Sequence, residues 1–188
     1  MESGAAGGTT AGTRAAAFQE RKAPQGAGGI LMKKGLLIVV SSPSGGGKGT
    51  ILKALFARNE NLRLSVSATT RAPREGEQDG VHYHFITKEQ FRQNIADGAM
   101  LEYAEYCENY YGTPKAPIQV WLEAGHDVVL EIEVQGGRQI KAAAPDCVSL
   151  FILPPSLEVL EKRLRGRGTE TEAVIEKRLR AAEEEIRC

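Results

Sequence analysis

A glycine-rich stretch at residues 42–50 has the residue types that bind nucleotide phosphates. Glycines let successive backbone N–H groups converge on phosphate oxygens, and a lysine reaches the outer phosphates. Compared with the P-loop pattern, Ser42 replaces the first glycine, and Gly49 stands where a metal-binding hydroxyl is usual. We expect Lys48 to be a catalytic cation. The residues expected to bind phosphate are Ser42, Pro43, Ser44, Gly45, Gly46, Gly47, Lys48, Gly49 and Thr50.

The elements around this stretch predict an α/β fold. Residues 36–40 form an apolar run typical of a strand buried on both faces, and a helix is expected over residues 48–58. Apolar runs at 128–132 and 148–153 predict two more buried strands. Helical spacing predicts helices over 135–144, 156–165 and 170–186, the last with a capping box from Thr169 to Glu172. This alternation predicts a parallel sheet flanked by helices and disfavours a mere helix-capping turn at residues 42–50.

Residues 64–113 differ from the rest of the chain. They are more polar, they contain all 5 tyrosines, and they show short alternating segments such as residues 82–85. One helix, with a capping box from Thr87 to Gln90, interrupts these segments. The pattern predicts a small mixed β insertion mounted on the parallel sheet.

Several segments together resemble the guanylate kinases, a family of P-loop nucleoside monophosphate kinases. They are residues 67–77, 80–85, 101–102, 109–113, 131–136 and 166–171, and the likeness runs from about Lys34 to the last residue. The resemblance implies a P-loop kinase core, a GMP-binding insertion and a helical lid at about residues 163–178. It also implies transfer of the terminal phosphoryl group of ATP to GMP, for GMP recycling and the supply of GTP and dGTP.

The same resemblance implies a GMP site. Arginines in a loop can bind one phosphate bidentately, and tyrosine hydroxyls donate to its remaining oxygens. Glu102 would accept from the guanine N–H groups, while Ser67 and Thr113 would serve its carbonyl. The alternatives are surface charges for the arginines, core packing for the tyrosines and a surface carboxylate for Glu102. The implied GMP-binding residues are Ser67, Arg71, Arg74, Tyr83, Glu102, Tyr111, Thr113, Glu131 and Glu133.

The implied lid supplies further cations. Arg167 and Arg178 would be catalytic and reach the phosphates, and Arg163 would bind ATP. Flanking glycines would let the loop swing and exclude water. Arg165 and Arg180 instead fit a basic helix face paired with glutamates. Mg²⁺ would accompany ATP, held mostly through phosphates and water, with Thr50 a weak protein ligand.

Composition restricts the other classes of partner. The formal net charge is +0, which gives no electrostatic case for binding nucleic acid or an anionic membrane. The apolar runs are too short to span a bilayer. The 3 cysteines are widely spaced, which predicts reduced thiols in a cytoplasmic protein. The expected partners are therefore ATP and GMP or dGMP.

The two ends of the chain carry separate expectations. Residues 1–31 are rich in Gly, Ala and Thr, which predicts a disordered extension before a domain at 32–188; a transit peptide is disfavoured by Glu2 and Glu20. The resemblance implies a further strand and helix after Cys188. We therefore expect the domain to be C-terminally truncated, without its last core strand and with an exposed apolar edge on the 147–153 strand.

Two other functions compete with this interpretation. Guanylate-kinase-like domains of scaffolding proteins bind phosphorylated partners, but such domains typically lose the P-loop lysine and glycines that are present here. Another nucleoside monophosphate kinase is the nearer alternative. Glu102 and residues 109–113 favour GMP over it.

Overall fold

The computed structural model describes residues 34–106, 108–166, 168 and 171–187. The expected extension at 1–31, the predicted lid residue Arg167 and the capping residue Thr169 lie outside these residues. Within them, no helix has the length and apolar character needed to cross a membrane.

The described chain contains eight strands and six helices. The strands are β1 (Leu37–Ser41), β2 (Leu62–Leu64), β3 (Ala68–Thr69), β4 (His84–Phe85), β5 (Met100–Tyr106), β6 (Asn109–Pro114), β7 (Asp127–Glu131) and β8 (Val148–Phe151). The helices are α1 (Lys48–Phe56), α2 (Lys88–Ala96), α3 (Lys115–Glu123), α4 (Val134–Ala143), α5 (Leu157–Arg165) and α6 (Glu172–Arg187).

The core is a parallel sheet in the order β2-β7-β1-β8, as the alternating pattern predicts. Helices cover both faces because successive strand side chains point to opposite sides. Val128 and Leu130 of β7 pack in one cluster with residues of α3 and α4, whereas Val129 packs with Leu52 of α1 on the other face. The continuous apolar run of β7 is therefore fully buried, as expected for a central strand.

The insertion forms a second sheet in the order β4-β3-β6-β5. β3 pairs with β4 in parallel, while β6 runs antiparallel to β3 and β5, so the predicted mixed β insertion is confirmed. The predicted capping box also forms: the Thr87 side chain accepts from the Gln90 N–H, and the Gln90 side chain accepts from the Thr87 N–H. This sheet packs on α4 of the core through β5.

The exposed apolar edge expected on the 147–153 strand is observed, so the prediction from the apolar run alone, a strand buried on both faces, is wrong. β8 lies at the edge of the sheet and, among the described residues, pairs only with β1. Leu150 is 50% exposed, and Val148 and Phe151 are also exposed. An apolar run alone does not report whether its strand has neighbours on both sides.

Helix α6 begins at Glu172, two positions after the predicted start at residue 170. The Thr171 carbonyl accepts from the N–H groups of Val174 and Ile175, so Thr171 is the residue before the first helical turn. Thr169, the expected cap of this helix, lies outside the described residues.

Candidate active site

The glycine-rich loop connects the end of β1 to the first turn of α1. Two of its glycines have left-handed backbone angles, Gly45 with φ 89° and Gly47 with φ 102°. The Gly46 N–H donates to the Pro43 carbonyl over 2.9 Å, which closes a turn within the loop. These angles explain the need for glycine, since L side chains rarely adopt them.

Lys48 lies at the start of α1 and faces the ends of the core strands. Its Nζ donates to the Ile132 carbonyl over 3.3 Å and lies 3.8 Å from Oε1 of Glu131. Burial lowers the pKa of Lys48, and the nearby Glu131 and Glu133 carboxylates oppose that shift. The ammonium group is thus held at the edge of the sheet beside the loop.

The loop forms one wall of an open cavity of about 780 Å³. Glu131 and Arg163 contribute charge to this cavity, while Ile152 and Leu153 contribute apolar surface. Every loop residue predicted to bind phosphate lines it: Ser42, Pro43, Ser44, Gly45, Gly46, Gly47, Lys48, Gly49 and Thr50. The sequence prediction therefore corresponds to one continuous surface.

Two predicted lid arginines contact the loop directly. Nη1 of Arg163, on α5, donates to the Gly46 carbonyl over 3.1 Å, and Nη1 of Arg178, on α6, donates to Oγ of Ser44 over 2.6 Å. Arg165 instead pairs with Glu161 and Glu172, as expected for a helix-face arginine. Arg163, assigned to ATP, and Arg178, assigned to the phosphates, are therefore next to the loop.

Arg71 of the insertion forms a bidentate ion pair with Glu77. The two guanidinium nitrogens lie 2.8 and 3.0 Å from the carboxylate oxygens. Hydrogen bonding to Arg71 is the main cause that lowers the pKa of Glu77 to about 2. The pKa of Arg71 is raised by Glu77 and, to a smaller extent, by a hydrogen bond with Tyr111.

The predicted phosphate-binding tyrosines surround Arg71. The guanidinium carbon lies 5.4 Å from the ring centroid of Tyr83, a cation–π distance. The rings of Tyr83 and Tyr111 meet edge to face at 6.1 Å. The Arg74 backbone N–H donates to Glu77 over 2.7 Å, and its side chain is exposed. The structure thus brings these four predicted residues to one place around Glu77.

Glu102 and Thr113 form a buried polar pair on neighbouring strands of the insertion. Glu102 is 6% exposed and Thr113 is fully buried, which excludes the surface-carboxylate alternative. Oγ1 of Thr113 donates to Oε1 of Glu102 over 2.6 Å. Burial raises the pKa of Glu102, and the Glu133 carboxylate adds to the shift. Ser67, next to β3, accepts from the His84 N–H through its carbonyl over 2.8 Å.

Glu131 and Glu133 have different surroundings. Glu131 ends β7 and lies in the loop cavity near Lys48. Glu133 is the N-cap of α4, where its carboxylate accepts from the N–H groups of Gln135 and Gly136 at 2.8 and 2.7 Å. The Glu133 side chain reaches back to its own helix, so Glu133 orders the start of α4.

The sequence did not indicate that Glu77 holds the loop of Arg71 and Arg74 together. Glu77 belongs to the 67–77 segment, but it is six residues from Arg71, a spacing that no regular element brings together. The available signal is a pair of glutamates, Glu75 and Glu77, that follow two arginines in a turn-forming stretch. Its carboxylate contacts both the Arg71 side chain and the Arg74 backbone, so the loop closes around it.

A glycine loop between a parallel strand and a helix, with a lysine at its cavity, defines a nucleotide-binding protein of the P-loop class. Residues 34–188 match the family model for guanylate kinase. The chain therefore belongs to the guanylate kinase family.

Known relatives agree with this assignment. A guanylate kinase from Clostridioides difficile (strain 630) is 60% identical over 144 residues, which is 77% of this chain and 70% of that protein. One from Neisseria gonorrhoeae is 53% identical over 143 residues, 76% of this chain and 70% of that protein. Among solved structures, guanylate kinase from Anaplasma phagocytophilum has a TM-score of 0.63 and 34% identity, covering 82% of this chain and 71% of that one.

Proposed function

We propose that this chain transfers the terminal phosphoryl group of ATP to GMP, giving ADP and GDP. The observation that carries the proposal is the buried Glu102–Thr113 pair in a module separate from the phosphate loop. A carboxylate held inside a protein without a cation costs stability, and base recognition is a use that justifies it. The lysine retained at the loop cavity favours an enzyme over a scaffold domain.

Within this proposal, the insertion binds GMP at both of its ends. Arg71, Arg74, Tyr83 and Tyr111 bind the phosphate, where Arg71 is already oriented by Glu77. Glu102 accepts from the guanine N–H groups, and Ser67 donates to the guanine carbonyl. The single hydroxyl proton of Thr113 is donated to Glu102, so Thr113 holds that carboxylate in place. Adenine presents a different donor pattern, which would leave the buried carboxylate unpaired. Deoxy-GMP carries the same base and phosphate, so it is a second substrate.

The transfer itself requires no general base. The second pKa of a phosphate monoester is about 6, so GMP is largely dianionic at neutral pH and already nucleophilic. Catalysis then consists of positioning and neutralising charge on the moving group. Lys48 supplies a cation at the cavity, and Arg178 and Arg163 supply two more from the helices beside the loop. Arg167 completes the proposed lid.

We propose Mg²⁺ as the cofactor that accompanies ATP. The oxygen ligands in the loop cavity suit a weakly held ion, because they are the hydroxyls of Ser42, Ser44 and Thr50 and one carboxylate, that of Glu131, rather than a dense acidic cluster. Among the described residues no group of three or more His, Cys, Asp or Glu side chains could hold a metal. Mg²⁺ keeps several waters and binds substrate phosphates, and it would neutralise their charge.

We further propose that residues 32–188 act as one catalytic domain in the cytoplasm, with the GMP-binding insertion at about 64–113 and the lid at about 163–178. Cys147 is a free, buried thiol, which suits a reducing compartment. Helices α5 and α6 pack together through Leu160, Leu164 and Ile175, so the proposed lid has its own apolar contact.

The proposal is tested by measuring ADP formation from ATP and Mg²⁺ with GMP, AMP or UMP as acceptor. We expect turnover with GMP (and dGMP) alone, and loss of at least about 100-fold in kcat for Lys48→Ala. Lys53→Ala, an exposed lysine later in α1, is the matched control and should keep wild-type turnover. Equal turnover with AMP, or turnover unaffected by Lys48→Ala, would overturn the proposal.

A further inference from the structure

Helix α4 of the core touches the guanine-reading pair of the insertion. We propose that Gly136, in the first turn of α4, is a positioning residue that sets the place of the Glu102 carboxylate and thereby the selectivity for guanine. This inference rests on the proposed function, since it assigns Glu102 to base recognition. Gly136 has no side chain with which to contact the base, so its effect would pass through Glu102.

The contact leaves no space for a side chain. A Cβ atom added to Gly136 would lie 2.7 Å from Oε2 of Glu102 and 3.2 Å from its carboxyl carbon. Gly136 is buried, and its own N–H is used by the Glu133 cap. The backbone of α4 is therefore fixed at this point, so the carboxylate rather than the helix has to move.

The other carboxylate oxygen is fixed as well. Oε1 of Glu102 accepts from Oγ1 of Thr113 over 2.6 Å, and Thr113 is fully buried on the neighbouring strand. Glu102 is thus held between a hydroxyl on one side and a bare helix backbone on the other. A carboxylate held on both sides loses little entropy on binding and presents a fixed pattern of acceptors.

A second contact fixes the strand that carries Glu102. The Gln139 side chain, one turn along α4, donates to the Tyr103 carbonyl over 2.9 Å and accepts from the Tyr103 N–H over 3.3 Å. The Gln139 side-chain amide thus forms hydrogen bonds with the backbone N–H and carbonyl of Tyr103, as a neighbouring strand would. Helix α4 therefore fixes both the backbone beside Glu102 and the carboxylate itself.

The helix contains a matched control. Gly137 is the next residue, and a Cβ there would lie 3.2 Å from Oγ of Ser41, away from Glu102. Both Gly→Ala changes raise helix propensity in the same turn. The group that an alanine at position 136 would displace is the carboxylate of Glu102, at the far end of a side chain. The fold should therefore tolerate Gly136→Ala, while the carboxylate moves.

The test compares Gly136→Ala with Gly137→Ala, using GMP and IMP, which lacks the exocyclic amine. Gly136→Ala is expected to raise the KM for GMP by roughly 10-fold, with smaller changes in kcat and in the KM for ATP, and to narrow the preference for GMP over IMP. Gly137→Ala should keep wild-type values. An unchanged preference in Gly136→Ala, or an equal loss in Gly137→Ala, would overturn the inference.

A shorter side chain at position 102 should remove the clash with an alanine at position 136. In a Glu102→Asp background the carboxylate is drawn away from α4, so adding Gly136→Ala should change the KM for GMP by less than about 2-fold. A further loss as large as in the wild-type background would overturn the proposal. If Gly136→Ala alone does not fold, folding of the double variant supports the contact and its failure overturns it. Wild-type protein that does not turn over GMP refutes the proposed function instead.

Discussion

Glu102 is a carboxylate inside the protein whose hydrogen-bond partner is a hydroxyl, that of Thr113. Burial raises its pKa, so the folded protein binds a proton there more tightly than the unfolded chain does. The stabilising effect of that proton is complete below the ordinary pKa of a glutamate and is lost as pH rises through the raised folded pKa. At neutral pH, Glu102 therefore costs stability.

Replacing Glu102 with glutamine should make the fold more stable at pH 7 and weaken the binding of GMP. We expect Glu102→Gln to unfold at higher urea concentration than wild type at pH 7, and this advantage should shrink as pH falls towards the ordinary glutamate range. The KM for GMP should rise at least about 10-fold. A variant less stable than wild type at pH 7 would show that the ionised carboxylate has stabilising partners.

Glu77 orients the proposed phosphate-binding arginine. Its pKa of about 2 means that the pair with Arg71 is present above the ordinary glutamate pKa and is lost only as pH falls towards 2. We expect Glu77→Gln to raise the KM for GMP roughly 10-fold with little change in the KM for ATP. Glu75→Gln, an exposed glutamate in the same loop, is the control. A lowered KM would mean that Glu77 competes with the phosphate.

The sequence indicates residue roles better than residue partners. Motifs at 67–77 and 109–113 assign Arg71 and Tyr111, which the structure brings together. The contacts of Glu77 and Gly136 depend on how a loop closes and on how α4 meets β5. Neither contact follows from a spacing along the chain, because both need the three-dimensional arrangement of separate elements.

The phosphate loop is held by helices far away in sequence. A Cβ on Gly45 would lie 3.1 Å from Leu160 and 3.2 Å from Leu164, both buried on α5. Arg163 of the same helix donates to Gly46. The loop conformation is therefore stabilised by apolar packing as well as by its glycine backbone.

Gly45→Ala is expected to destabilise the fold by about 1–3 kcal/mol, because its φ of 89° is unfavourable for alanine and its Cβ approaches α5. Gly49→Ala is the control, since that residue lies in α1 with no atom within 4 Å of an added Cβ. It should be neutral or stabilising by up to about 1 kcal/mol. Chemical denaturation measures both, and equal effects would contradict the packing argument.

The sequence predicts elements well where periodicity is strong. The β1–loop–α1 unit, the Thr87 capping box and the mixed insertion are all observed. The predicted start of α6 at residue 170 differs by two positions from the observed start at Glu172, which is within the usual spread of helix boundaries.

For the molecule as a whole, the β8 edge of the core sheet is its exposed apolar edge. The β8 edge exposes Val148, Leu150 and Phe151 within the part of the chain that the structure describes. The apolar run at 148–153 predicts only a buried strand. The exposed edge is predicted by the family resemblance, which implies a further strand beside it, and the sheet order agrees with that expectation. Sheet order depends on long-range pairing, which no local pattern encodes.

An apolar edge strand favours association between chains. We expect this chain to self-associate at high concentration, and Leu150→Lys to reduce that association by placing a charge on the edge. Sedimentation velocity over a concentration series measures the effect. Val81→Lys, at an exposed apolar residue in the insertion, is the control and should not change it. Equal association in Leu150→Lys would locate the contact elsewhere.

In the proposed reaction, the phosphoryl group passes directly from a nucleotide on the phosphate loop to GMP on the insertion. This transfer can be followed by phosphorus NMR of ATP, GMP and Mg²⁺ with catalytic amounts of the 188-residue chain. We expect GDP and ADP to form in equal amounts, without inorganic phosphate, since the acceptor is the GMP phosphate. ADP accompanied by inorganic phosphate, or ADP formation independent of GMP, would contradict it.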